Sequence, residues 1–119
     1  MKEILVYGSL KQGYWNHERF NLDANYRWKG VVYGFKLMDL GPYPGAVYGT
    51  STDGIICERY EVDDETFRFL DLMERGAGYL PEPVDGATLW VYQHPDENDA
   101  PCPKNAHGFY EWVGGPRIL

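Results

Sequence analysis

The sequence predicts an α+β domain in which a curled mixed β-sheet or small β-barrel is joined by few helices. Three observations lead there. Several short stretches carry β-branched and aromatic residues at strand spacing, one stretch carries a clear helical pattern, and the two kinds do not alternate. Alternation would have indicated a doubly wound parallel sheet. With 119 residues, the chain can bury one continuous core but cannot hold a cofactor domain beside a substrate domain. Residues 1–119 therefore read as a single domain, with glycine and proline scattered as turn punctuation instead of gathered into a linker.

Taken in order, Ile4-Leu5-Val6-Tyr7 is a short apolar run ended by Gly8, which suits a strand buried on both faces. The loop from Gly8 to Gly13 then leaves the end of a central strand. Trp28 to Leu40 reads as one strand, Val31, Tyr33, Phe35 and Leu37 alternating with Val32, Gly34, Lys36 and Met38. Gly41-Pro42 stops it, and Tyr43-Pro44-Gly45 continues the turn. Ile55 to Val62 is another strand, with Ile56, Tyr60 and Val62 expected on its buried face. Asp63 or Asp64 can cap a helix that runs to about Arg75 and ends at Gly76 and Gly78. Thr88-Leu89-Trp90-Val91-Tyr92 is a late strand, and the acidic stretch from Asp96 to Lys104 reads as an exposed loop.

The apolar share of 44% and charged share of 24% are those of a soluble globular protein, whereas the aromatic share of 16% is high enough to line a cavity. A formal net charge of −7 with no basic cluster repels phosphate backbones and anionic lipid heads, so neither nucleic acid nor a membrane is an expected partner. The amino-terminal segment is apolar only over Ile4 to Tyr7, too short for a signal peptide or a membrane helix, and it reads as the first strand of a cytoplasmic protein. Cys57 and Cys102 have no CxxC partner and read as reduced thiols; no metal and no cofactor is expected.

The helix carries an anomaly. Phe67 and Leu70 share a face, and the next position on that face is Glu74, a carboxylate where packing calls for leucine. Asp71 lies on the same side, three residues earlier. Desolvation and a neighbouring negative charge both raise a carboxyl pKa, which suits a group that accepts and returns a proton near neutral pH. The alternative is that Phe69, Leu72 and Met73 form the core face and leave both carboxylates solvated.

Tyr7-Gly8-Ser9-Leu10-Lys11-Gln12-Gly13 sets two glycines and a hydroxyl after a buried strand, where successive N–H groups can bind a carboxylate. It lacks the order of a phosphate loop. Val6-Tyr7-Gly8-Ser9-Leu10, Gly54 opening a strand that ends Tyr60-Glu61-Val62, Leu70-Asp71-Leu72-Met73-Glu74 and then Tyr79 resemble the γ-glutamylcyclotransferase-like family. Leu89-Trp90-Val91-Tyr92 looks like its late strand, and Gly108-Phe109-Tyr110-Glu111-Trp112 is similar to its closing segment. Leu10-Lys11-Gln12-Gly13 with Asn16-His17 is nearest the γ-glutamylamine cyclotransferase branch and its small bacterial relatives. One departure is that Tyr79-Leu80-Pro81 lacks the arginine of the family's Tyr-x-Arg.

The resemblance implies a β-barrel-like α+β fold and a cofactor-free intramolecular aminolysis of a small γ-glutamyl substrate to 5-oxoproline; a monomer or weak homodimer is expected. Glu74 would be the acid/base. Tyr7, Gly8, Ser9, Leu10, Tyr79 and Tyr92 would bind substrate, the loop through its N–H groups and the late tyrosines by shaping the pocket. Two alternatives stay open at this point: a non-catalytic small-molecule-binding module or regulator on the same fold, and acyl transfer through Ser9 with His17 as base.

Overall fold

The computed structural model describes residues 1–12, 14, 17 and 26–114, which form one sheet of eight strands with a helix packed on it. In chain order the strands are β1 (Lys2–Val6), β2 (Tyr26–Tyr33), β3 (Phe35–Asp39), β4 (Pro44–Tyr48), β5 (Gly54–Val62), β6 (Tyr79–Val84), β7 (Ala87–Tyr92) and β8 (Ala100–Pro101), with helix α1 (Asp64–Gly76) between β5 and β6. The sheet order is β2-β5-β1-β7-β4-β3-β8, with β6 added on β7. The sheet is mixed and does not close, so the curled-sheet expectation holds and the barrel expectation does not. Among the described residues, no helix is long and apolar enough to cross a membrane.

The feature that positions the site is a fork on β7. β6 pairs antiparallel with all of β7, from Val84 opposite Ala87 to Tyr79 opposite Tyr92. A strand has only two edges, so the other must be shared: β1 pairs in parallel at Thr88 and Leu89, and β4 takes over at Val91. Where β1 leaves, the Tyr7 side chain fills the gap in the ladder. Its hydroxyl donates to Trp90 O at 2.6 Å and accepts from Ala46 N–H at 3.1 Å, satisfying backbone groups of both diverging strands.

Strand β1 is buried on both faces, as its unbroken apolar run predicts, and so is β7. Leu5, Leu89 and Val91 join one core with Val32, Leu37, Ile55, Tyr110 and Trp112. Ile4, Val6 and Trp90 join another with Tyr60, Val62 and Leu70, which α1 covers. The start of β5 is also buried on both faces, so the expected Ile56, Tyr60 and Val62 face is only half of its buried surface. Tyr110 is the reason at one edge: it exchanges backbone hydrogen bonds with Gly54 and Ile56, continuing the edge that β1 occupies further along.

Two local expectations need correction, and one strand goes beyond the sequence reading. The single strand over Trp28 to Leu40 is two strands bent at Gly34, whose φ of 94° suits glycine alone. Gly34 N–H bonds Asp53 O and its carbonyl accepts from Gly49 N–H, so the chain turns from β5 towards β4 and the buried side switches from Val32 to Phe35 and Leu37. Pro44-Gly45 is not turn but the start of β4. Tyr79–Val84 forms a strand despite Pro81 and Pro83, which β6 tolerates because it is paired on one side only; Asp85-Gly86, both at positive φ, make the two-residue hairpin turn to β7. The Asp96 to Lys104 stretch is largely exposed as expected, although Ala100–Pro101 pair with β3 as β8 and Cys102 is buried.

Candidate active site

Helix α1 begins at the expected cap: Asp63 accepts from Thr66 N–H at 2.7 Å, with Asp64 and Glu65 in the first turn. Its buried stripe is the Phe67, Leu70 and Glu74 face. Leu70 is fully buried, and Phe67 and Met73 pack partly on the same core. Phe69 and Leu72 are 58% and 63% exposed, which rules out the alternative core face. The helix therefore carries Glu74 inward at its last turn.

Glu74 reaches a cavity of about 200 Å³ between the end of α1 and the loop that follows β1. Gly8, Ser9 and Leu10 line it together with Glu74 and Tyr79, and Leu5, Val6, Met73 and Trp90 make much of the remaining wall apolar. The Glu74 carboxyl is half-buried, and no hydrogen bond or ion pair reaches it from the described residues. Burial first, and the Asp71 charge second, push it up to about 7. Asp71 behaves in the opposite way. Burial alone would raise it, but the Trp90 indole N–H at 3.0 Å and Arg75 Nε at 2.8 Å hold it below the usual carboxylate range. Two carboxyls three residues apart are thus split into a fixed anion and a group that can exchange a proton near neutrality.

The loop is a tight turn, Lys11 N–H donating to Gly8 O at 2.9 Å. The N–H groups of Gly8 and Leu10 make no hydrogen bond to another described residue, which leaves them for a ligand. Gly8 has a steric reason for lacking a side chain: a Cβ there would lie 2.9 Å from Cδ and 3.0 Å from Cγ of Pro44. Gly13 and Asn16 lie outside the described residues.

The tyrosines divide. Tyr7 lines the cavity, but its hydroxyl is committed to the strand fork, and burial first and Tyr79 second push its pKa well up. Tyr79 also lines the cavity; its hydroxyl donates to Pro44 O at 2.7 Å, and burial and then Glu74 raise its pKa. Tyr92 does not line this cavity. It meets Tyr79 edge-on at 5.3 Å and faces a neighbouring depression with Asp39 and Asp99. His17 is buried away from the cavity, where Nδ1–H donates to Leu10 O at 2.9 Å and the ring packs on Tyr60, so it is not placed as a base for Ser9.

Sequence reasoning missed Tyr43, Pro44, Ala77 and Trp90 in the wall. The Gly41-Pro42-Tyr43-Pro44-Gly45 density signalled a constrained segment but not what it faces. Among the described residues no lysine or arginine lines the cavity, and no three His, Cys, Asp or Glu converge as a metal site. The absent Tyr-x-Arg arginine thus has no replacement among the described residues of this wall.

Comparisons with known proteins show relatives of the same family and fold. The Escherichia coli (strain K12) γ-glutamylcyclotransferase family protein YtfP is 36% identical over 99 residues, covering 77% of this chain and 83% of that one. The corresponding Citrobacter rodentium protein is 37% identical over 101 residues, or 79% and 84% of the two chains. An uncharacterised protein from Pyrococcus horikoshii has a crystal structure that superposes with a TM-score of 0.70 at 30% identity, over 83% of this chain and 85% of that one. The family model described as γ-glutamyl cyclotransferase, AIG2-like, matches residues 4–112, and the chain belongs to that family.

Proposed function

We propose that this protein cyclises a γ-glutamyl amine or γ-glutamyl amino acid to 5-oxoproline and releases the amine, with Glu74 as the general acid/base. The observation that carries the reading is a carboxyl with no partner among the described residues, set in the wall of a largely apolar cavity that also presents the Gly8 and Leu10 N–H groups; burial raises its pKa to about 7. Such a carboxyl gains nothing structurally from its position, because a buried charge without a partner is costly.

The substrate's α-amine attacks its own γ-carbonyl carbon. A new C–N bond closes the five-membered ring, and the bond to the leaving nitrogen breaks. Glu74 takes the proton lost by the attacking nitrogen and delivers one to the departing nitrogen, so the carboxyl ends as it began and no water is consumed. The backbone N–H groups of Gly8, Ser9 and Leu10 receive the α-carboxylate or the developing oxyanion as fixed dipoles, a role that matters more because the described residues of the wall include no cationic side chain. Tyr79 and Pro44 hold the cavity's shape through their hydrogen bond, while Tyr92 supports Tyr79 from behind.

Incubation with a panel of γ-glutamyl amines and γ-glutamyl amino acids, read by mass, should give 5-oxoproline and free amine in equal amounts from at least one member. Free glutamate in place of 5-oxoproline, or no product from any member, would overturn the reading.

A further inference from the structure

Outside the cavity wall lies a buried polar cluster that the proposed chemistry does not use. Glu58 is 7% exposed and Lys11 is 5% exposed. Burying such groups is costly unless they are well hydrogen-bonded, so their retention calls for a physical reason.

Glu58 stands opposite Val6 in the β1–β5 register, at the point where the chain leaves the sheet. The turn closed by Lys11 N–H on Gly8 O brings Gln12 back to this place, where its N–H donates to Glu58 Oε1 at 2.8 Å. The same oxygen accepts from the Tyr60 hydroxyl at 2.8 Å, which fixes the carboxylate's own orientation. Lys11 Nζ donates to Trp112 O at 2.5 Å, and Leu10 O accepts from His17, whose ring lies edge-on to Tyr60 at 5.3 Å. Leu10, Lys11 and Gln12 are thus each held by a group beyond the turn, while Gly8, Ser9 and Leu10 of the same turn face the cavity.

We infer that Glu58 is a positioning residue for the substrate cradle: by holding Gln12 N–H it fixes the turn that presents Gly8, Ser9 and Leu10 to the bound carboxylate. This rests on the reading of that loop as the cradle. A leucine at position 58 would suit a buried strand, but it would leave the Gln12 N–H without its acceptor and let the turn loosen.

The test combines steady-state kinetics of 5-oxoproline release with amide hydrogen exchange by NMR, on wild type, Glu58→Leu, Glu58→Gln and Tyr60→Phe. Glu58→Leu should raise KM at least about tenfold with kcat within about threefold, the signature of lost binding common to ground and transition states. Gln12 exchange should accelerate at least about tenfold more than that of Leu5 and Val91 in the core. Glu58→Gln keeps an acceptor oxygen in the Oε1 place and should recover both quantities to within about threefold.

A stability loss in Glu58→Leu with KM unchanged, or a Glu58→Gln variant as impaired as Glu58→Leu, overturns the proposal. Should Glu58→Leu fail to fold, Tyr60→Phe keeps the ring and removes the hydroxyl that orients the carboxylate. It should raise KM and Gln12 exchange together, and wild-type values for both overturn the proposal. If wild type releases no 5-oxoproline the functional reading fails, and the exchange contrast alone still decides whether Glu58 holds the turn.

Discussion

Glu74 is an expensive residue for the fold, and its cost is what fits it for proton transfer. An ordinary carboxyl is almost wholly ionised at neutral pH and is a weak proton donor there; one moved up to about 7 serves in either direction. Burial supplies the larger part of that shift and the Asp71 anion the smaller, while the tyrosine hydroxyls facing it from β6 and from the end of β1 stay neutral. Asp71→Asn should therefore move the acid limb of the kcat/KM profile to lower pH without abolishing activity. An unchanged or upward-shifted limb would show that Asp71 does not bias Glu74. Glu74 itself was legible in the sequence because it interrupts an apolar stripe. The Trp90 and Arg75 bonds that keep Asp71 ionised were not all legible, since Trp90 reaches it from a strand nineteen residues away.

Among the elements, α1, β1 and β7 were the most legible, because a capped amphipathic stripe and short unbroken apolar runs are decided locally. What escaped was decided by partners. β6 is a strand only because β7 offers its free edge to a proline-containing segment, and Gly34 bends a continuous alternation because Asp53 and Gly49 take its backbone groups. The fork on β7, and hence the cavity beside it, is a property of pairing that no single stretch encodes. The loop after β1 makes a prediction at this scale. Gly8→Val should lower kcat/KM at least about a hundredfold, about 2.7 kcal/mol of transition-state stabilisation, because the Pro44 ring already occupies the space of a Cβ. Ser9→Ala should be mild, since the proposed cradle would use N–H groups and not the hydroxyl. A dead Ser9→Ala variant with a covalent adduct trappable on the wild-type serine would instead favour acyl transfer.

For the whole molecule, the site sets stability against function. Because the folded-state pKa of Glu74 lies above the ordinary value of 4.5, the folded protein holds its proton more tightly than the unfolded chain between about pH 4.5 and 7. Stability therefore falls as pH rises through that window and levels off above it. Glu74→Gln removes this cost and should raise unfolding free energy most at pH 8 and least at pH 4, by about 1–2 kcal/mol at the upper end after allowing for the carboxyl's partial exposure. A variant no more stable than wild type at pH 8 would mean that Glu74 ionises freely in the folded state. The same substitution gives the most direct test of the account: kcat/KM for 5-oxoproline release by folded Glu74→Gln, on the best substrate of the panel, compared with wild type. The account predicts a loss of at least about a thousandfold with substrate binding nearly retained, because the amide keeps the shape of the cavity but cannot carry a proton. Activity within about tenfold of wild type would contradict it.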